Sequence, residues 1–189
     1  MEKREVINEA INHLNKGEVI LCPTDSIWGL SCDATNEDAV KKILALKKRD
    51  DKKGFTILLN SDAMVNNCMK DVPGVVWDLI DLSTEPLSIV IDHGMYVAKN
   101  AMHENGSISF RYINHGFCND LLTKFRKPIV STSANLSGEE TPIVYQKINP
   151  EIRNNVAYSI PEKIATDMSG KPSKIIKIKE NGEVIILRK

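Results

Sequence analysis

The sequence predicts an α/β protein of the α+β type, built on a mixed sheet with flanking helices. Three observations lead there. Short apolar runs such as "EVILCP", "FTILLNS" and "PIVS" interleave with longer stretches in which apolar residues recur at helical spacing. Some of the short runs follow one another directly, which calls for antiparallel neighbours as well as parallel ones. The chain has 189 residues and shows no internal repeat, low-complexity tract or linker, so it reads as one domain over residues 1–189.

The elements follow in order. "EVINEAINHLNKG" places Val6, Ile7, Ala10, Ile11 and Leu14 on one helical face, and Gly17 stops the helix at its C-cap. "EVILCP" is a buried strand ended by Pro23, and "TDSIWGL" is a turn leading into a second strand. Thr35 followed by Asp38 suggests a capping box for a helix from Asn36 to about Lys48, with Ala39, Ile43 and Leu46 as its buried stripe. "FTILLNS" is a strand, "VPGVVWDLIDLS" a helix entered through Pro73, and "LSIVID" and "SISFRYI" are strands. "HGFCNDLLTKF" is helical, and "KPIVSTSANLSG" is a strand running into a polar loop. "VAYSI", "SKIIKIKE" and "EVIILRK" are late strands, the last two joined as a hairpin through Asn181-Gly182.

Formal net charge is +0, so no global charge marks a nucleic-acid or membrane binder, and any polyanion site must be a local patch. No apolar run reaches membrane-spanning length, and the N-terminus lacks a signal-peptide core. The expectation is a cytoplasmic chain that begins at Met1. Cys22, Cys32, Cys68 and Cys118 form no CxxC pair and no zinc-finger spacing with histidine. They read as reduced thiols, with a structural zinc site as the weaker alternative and no metal ligand assigned.

Three stretches carry candidate chemistry. Lys47, Lys48, Arg49, Lys52 and Lys53 lie within seven residues, ahead of Gly54 and a buried strand. On composition alone a solvated helix end is the stronger reading, because cations favour the C-terminal end of the macrodipole. Against it, Gly54 lets backbone approach a ligand, and Arg and Lys at a loop before a strand suit a polyphosphate. "STSANLSG", Ser131 to Gly138, is either a Ser/Asn turn or a set of short donors at a strand end. "PTDSIWGL" is sufficiently explained as a β-turn. No GxSxG elbow and no Walker A pattern occur, so neither a nucleophilic serine hydrolase nor a P-loop is supported.

Each stretch alone is weak, but their order is specific. "PTDSIWGL", "KKR…KKG" before a strand, the single Arg of "SISFRYI", "PIVSTSANLSG", a Ser-containing strand start and a terminal "ILR" together resemble the YrdC-like family of threonylcarbamoyl-AMP synthases. The resemblance runs from about Gly17 to Arg188, with the "STSAN.SG" and "PTD(S/T)…GL" runs as its most specific parts.

The resemblance implies a twisted mixed sheet around a large, positively lined cavity. It implies an enzyme that condenses L-threonine, bicarbonate and ATP, with Mg²⁺ carried by the nucleotide, into threonylcarbamoyl-adenylate and pyrophosphate. It implies a downstream threonylcarbamoyl transferase complex that moves the group to position 37 of tRNA, and at most weak tRNA contact by this chain. Lys47 and Arg49 match the family's K-x-R motif, and Ser133 and Asn135 its S-x-N motif; these four are the implied catalytic residues. Arg49, Lys53, Ser107, Ser133, Thr141 and Arg188 are implied on the nucleotide side. Ser26, Arg111, Ser131 and Ser173 are implied on the threonine side, with Arg111 pairing the threonine carboxylate and Thr132 in the wall between the two. His13, His93, His103 and His115 fall outside the matched motifs, His13 and His115 reading as surface residues of helix segments.

The departures concern loops. The family's "WPGPxT" is "STEPLS" here, Asp50 replaces the Pro after the K-x-R Arg, Tyr112, Ile113 and Asn114 replace the end of "V-R-x-P", and Lys174 replaces a Thr after Ser173. The rival reading is a non-catalytic relative that binds RNA or nucleotide; retention of "SAN" and the neutral net charge weigh against it. An interaction scaffold would leave the K-x-R and S-x-N pairing unexplained.

Overall fold

The computed structural model describes residues 2–49 and 54–189. Its strands are β1 (Ile20–Pro23), β2 (Trp28–Asp33), β3 (Thr56–Leu59), β4 (Leu87–Ile91), β5 (Ile108–Tyr112), β6 (Ile129–Ser133), β7 (Tyr158–Ser159), β8 (Lys174–Ile178) and β9 (Val184–Arg188). The α-helices are α1 (Lys3–Asn15), α2 (Glu37–Lys47), α3 (Asp62–Cys68), α4 (Gly74–Leu82), α5 (Gly116–Phe125) and α6 (Pro150–Asn155).

The strands form one nine-stranded sheet in the order β7-β1-β2-β6-β3-β5-β4-β8-β9. It is mixed, as the sequence predicts: β3–β5, β4–β8 and β1–β7 are parallel, and the remaining neighbours are antiparallel. Consequently β6, late in the chain, lies between β2 and β3, and brings the Ser131–Ser133 run beside Gly29 and Thr56. α1 packs on β1, β2 and α5, and α2 packs on β2. The apolar faces of these elements merge into one core in which Leu14, Leu21, Trp28, Ile43, Ile57, Phe110 and Leu121 are all buried. Burying each such side chain contributes roughly 1.5–3 kcal/mol before conformational entropy is counted.

Several local features differ from the sequence expectation. α2 is capped by Asn36, not by a Thr35–Asp38 box. The Asn36 side chain accepts from Asp38 N at 3.0 Å and Ala39 N at 3.1 Å. Thr35 is already engaged, its hydroxyl donating to Asp33 Oδ1 at 2.6 Å. Asn36→Ala should therefore cost about 1 kcal/mol of stability, seen as a drop in Tm of roughly 2–4 °C. The short helices α3 and α6 were not predicted, although each has a local start signal, Ser61 for α3 and Asn149-Pro150 for α6. The "VAYSI" strand shrinks to the two residues of β7. The β8–β9 hairpin forms, with Gly182 at φ +82° and Lys179 N donating to Glu183 O across the turn.

All four cysteines are free and buried. Contact with the Cys118 thiol, and then burial, raises the Cys22 pKa; burial also raises those of Cys32 and Cys68. Among the described residues no cluster of three His, Cys, Asp or Glu side chains is placed to hold a metal, and no helix is long and apolar enough to cross a membrane.

Candidate active site

Strand alternation builds the site. In β5, Ile108 and Phe110 go to the core, while Ser109 and Arg111 face a cavity of about 430 Å³. Ser131, Thr132 and Ser133 of β6, Thr56 of β3, and Trp28 and Gly29 of β2 complete that wall. Ser26, Arg49, His103, Thr141, Ser173 and Arg188 close it from loops and strand ends. Gly29 is required here by close approach, since a Cβ on it would lie 2.6 Å from Ser131 Oγ and 3.3 Å from the Thr132 carbonyl.

A wider basin of about 930 Å³ adjoins this inner chamber and is lined by Lys47, Lys48, Arg49, Thr132, Ser133, Asn135, Ser137 and Gly138. Arg49, Thr132 and Ser133 belong to both spaces and so stand at their junction.

Lys47 ends α2, is 3% exposed, and donates from Nζ to Ser133 O at 2.5 Å and Asn135 O at 2.6 Å. Its own carbonyl accepts from Ser137 N at 2.9 Å. The K-x-R lysine thus clamps the S-x-N loop. Burial, and then the charge of Arg49, lowers its pKa to about 8; Glu139 acts weakly the other way. Lys48 adopts the left-handed conformation (φ 51°) that ends the helix and turns the chain toward Arg49. Arg49 donates to Gly54 O at 2.7 Å, and its guanidinium lies 4.8 Å over the Phe55 ring. Gly54 is at φ +57°, and a Cβ there would meet His103 N at 2.9 Å. Gly54→Ala should lower stability by about 1–3 kcal/mol, read by thermal melting, because the added Cβ must displace His103 and with it the carbonyl that anchors Arg49.

The structure places the predicted residues unequally. Ser26, Arg49, Arg111, Ser131, Ser133, Thr141, Ser173 and Arg188 share the inner chamber; Lys47 and Asn135 line the outer basin. Lys53 and Asp50 lie outside the described residues. Ser107 is not among the lining residues: its hydroxyl donates to Asn105 Oδ1 at 2.8 Å and stabilises the turn before β5. Its place on the wall is taken by Ser109, which the period-two alternation from Arg111 could have identified. Asn135 uses its amide to donate to Leu136 O and Glu139 O, each at 2.9 Å. His103 was missed because no local motif marks it. His13 is only 17% exposed at its side chain, tied to Glu18 and stacked on Tyr158, whereas His115 is exposed.

Arg111 carries a partner that the sequence did not reveal. Its Nε lies 3.0 Å from Asp25 Oδ1 with both side chains 7% exposed, a contact of charges without hydrogen-bond alignment. Its Nη2 donates to Thr24 Oγ1 at 3.3 Å. Arg188 donates twice to Ser173 O, at 2.9 and 2.6 Å, and burial, then Arg111, lowers its pKa. The chamber therefore carries Arg49, Arg111 and Arg188, with Asp25 balancing one of them. A separate cavity of about 390 Å³, lined by Asp25, Glu85 and Asp167 and by no Lys or Arg, is unsuited to a polyanion.

Comparison with known proteins agrees with this architecture. The family model described as "Telomere recombination", for Sua5, YciO and YrdC, matches residues 12–189. A threonylcarbamoyl-AMP synthase of Pseudoalteromonas translucida is 32% identical over 187 residues, covering 97% of this chain and 98% of that protein. Sua5 of P. abyssi, crystallised with L-threonine, superposes with a TM-score of 0.84 at 21% identity, over 94% of this chain and 52% of its own. This chain thus spans about half the length of that Sua5 structure. YciO of E. coli superposes with a TM-score of 0.81 at 22% identity, over 100% of this chain and 90% of its own. With a family match over nearly its whole length, this chain belongs to the Sua5/YciO/YrdC family.

Proposed function

We propose that this protein is a threonylcarbamoyl-AMP synthase that joins L-threonine, bicarbonate and ATP and releases pyrophosphate. The relatives it matches across nearly their full length carry that name. The observation that carries the reading is the convergence of Lys47, Arg49 and the Ser131–Ser133 run on two joined spaces, one of which also holds Arg111 and Arg188.

The chemistry needs positioning and charge stabilisation more than a protein nucleophile. Threonine loses a proton and its neutral amine takes up the carbon of bicarbonate, with loss of water. The resulting carbamate oxygen then attacks the α-phosphorus, and pyrophosphate leaves. Lys47 and Arg49 would stabilise charge on the phosphates as the bond to pyrophosphate breaks. Mg²⁺ would enter on the nucleotide, because the polar groups of the wall are mainly hydroxyls and guanidiniums, no carboxylate is among the described lining residues, and Asp25 behind it is held by Arg111. We assign Ser26, Ser131, Ser173 and Arg111 to the threonine side, and Ser133, Thr141, Arg49 and Arg188 to the nucleotide side. With Asp25 beside its Nε, Arg111 would offer threonine its remaining N–H groups rather than an unbalanced charge. The product would serve the first step toward threonylcarbamoyladenosine at tRNA position 37, passing to a transferase complex in the cytoplasm; tRNA contact by this neutral chain would be weak.

The test is direct. Purified protein is incubated with ATP, Mg²⁺, bicarbonate and L-threonine, and pyrophosphate and adenylate product are followed by chromatography and mass spectrometry. Threonine-dependent product is expected. ATP binding without product would overturn the synthase reading and leave a nucleotide-binding relative.

A further inference from the structure

His103 is the one imidazole among the described residues that line the inner chamber. It is rigidly held. Its N donates to Ser107 O at 3.0 Å, its O accepts from Gly106 N at 2.8 Å, and Phe55 N donates to Ala101 O at 2.9 Å. These bonds fix the backbone that sets the ring against Gly54, where an added Cβ would sit 3.0 Å from its Cγ and Cδ2. The Gly54 carbonyl in turn holds Arg49. His103 and the K-x-R arginine are therefore two sides of one small assembly.

The ring is under-used. Nε2 is buried and has no hydrogen-bond partner among the described residues. Most buried polar atoms are paired, so an orphan nitrogen on a residue that lines the chamber calls for an explanation. The charges facing the ring are Arg49 from the end of α2 and Lys177 from β8, the latter paired with Asp92 at 3.1 Å. Arg111 and Arg188 line the same chamber, and Glu104, its chain neighbour, is exposed. Burial, then Arg49 and Lys177, holds the His103 pKa below its ordinary 6.5, so the ring is neutral at neutral pH in the empty chamber.

A polyanion bound at Arg49 would reverse the local potential. We propose that His103 is a further contact for the anionic part of the nucleotide, and that it takes up a proton as the nucleotide binds. The proposal rests on the nucleotide reading above. The charged ring adds a further cationic donor only when the anion is present, and an empty chamber is spared another buried charge. By linkage, binding and protonation strengthen each other, so affinity must rise as pH falls toward the ordinary histidine range.

The experiment compares wild type with His103→Gln, titrating each with ATP and Mg²⁺ by calorimetry in two buffers of different ionisation enthalpy. The ionisation of ATP and of Lys47 is common to both proteins and cancels in the difference. Wild type is expected to take up more protons per ATP than the variant near neutral pH. Its affinity advantage should be roughly three- to tenfold at about pH 6 and close to absent at about pH 8.5. A ring that only wedges Gly54 would give the same affinity ratio at every pH and no difference in proton uptake, and that result overturns the proposal. Absence of ATP binding by wild type would instead sink the nucleotide reading, and this inference with it. If the variant fails to fold, imidazole proton resonances of wild type decide: one of the four must titrate at higher pH with ATP present, and no such shift overturns the proposal.

Discussion

Lys47→Ala is expected to abolish threonine-dependent adenylate formation, a loss of roughly a thousandfold or more. Two effects combine. The variant removes a cation from the outer basin, and it also releases the carbonyls of Ser133 and Asn135 that Nζ holds. Lys47→Met loses the same charge and the same bonds but keeps the buried stem, and so separates both effects from a loss of packing. Measuring product formation in both variants, with circular dichroism as the check on folding, tests the assignment. Near-wild-type turnover in folded Lys47→Met would remove the ammonium from the chemistry. The lowered pKa of about 8 adds a pH signature. Above about pH 8 the free enzyme loses the Lys47 charge, so kcat/KM for ATP should fall. Stability should respond in the opposite sense. Between about 8 and the ordinary 10.5, the unfolded chain holds a proton that the folded lysine has lost, so this group adds stability as pH rises.

Asp25→Ala should produce the largest loss of stability, about 3–5 kcal/mol, because it leaves the buried Arg111 guanidinium without its counter-charge. For a domain of this size that is a fall in Tm of roughly ten degrees. Arg111→Ala should do comparable damage from the other side and also strip a cation from the chamber. The decisive measurement is the double variant Asp25→Ala/Arg111→Ala. Its loss should be smaller than the sum of the two single losses by at least about 1 kcal/mol, the sign of a coupled pair. Additive losses would mean that the contact contributes nothing as a pair.

Several stretches that line the two joined spaces carry local signals in the sequence, for a physical reason. Turn and loop chemistry is local: Pro23, Gly54, the helix end at Lys47 and the small hydroxyl residues of 131–138 each impose a backbone preference that neighbouring residues alone set. Strand alternation is equally local and sets Ser109 and Arg111 on one face of β5, although it was the family resemblance that singled out Arg111. What local sequence does not contain has the opposite character. Ser107, which the resemblance puts on the nucleotide side, donates to Asn105 and is not among the residues that line the inner chamber. Thr35 looked like a cap, but Asp33 had already engaged it. His103 carries no motif, and only its docking on Gly54 gives it a place.

The same division holds for the whole molecule. Periodicity and punctuation in the chain are enough for the class of fold and most of the strands and helices, and the order of short motifs is enough for the resemblance to the family, which alone singles out the K-x-R and S-x-N residues, since all of these are written in short windows. The order of the sheet is not written there. It brings β6 between β2 and β3, pairs Gly29 with Ser133, buries Asp25 against Arg111, and lets Lys47 reach across 86 residues to the Ser133 carbonyl. Those contacts form only when the core packs and the chain closes long loops, so they depend on which distant faces bury each other best, and no local stretch contains that information.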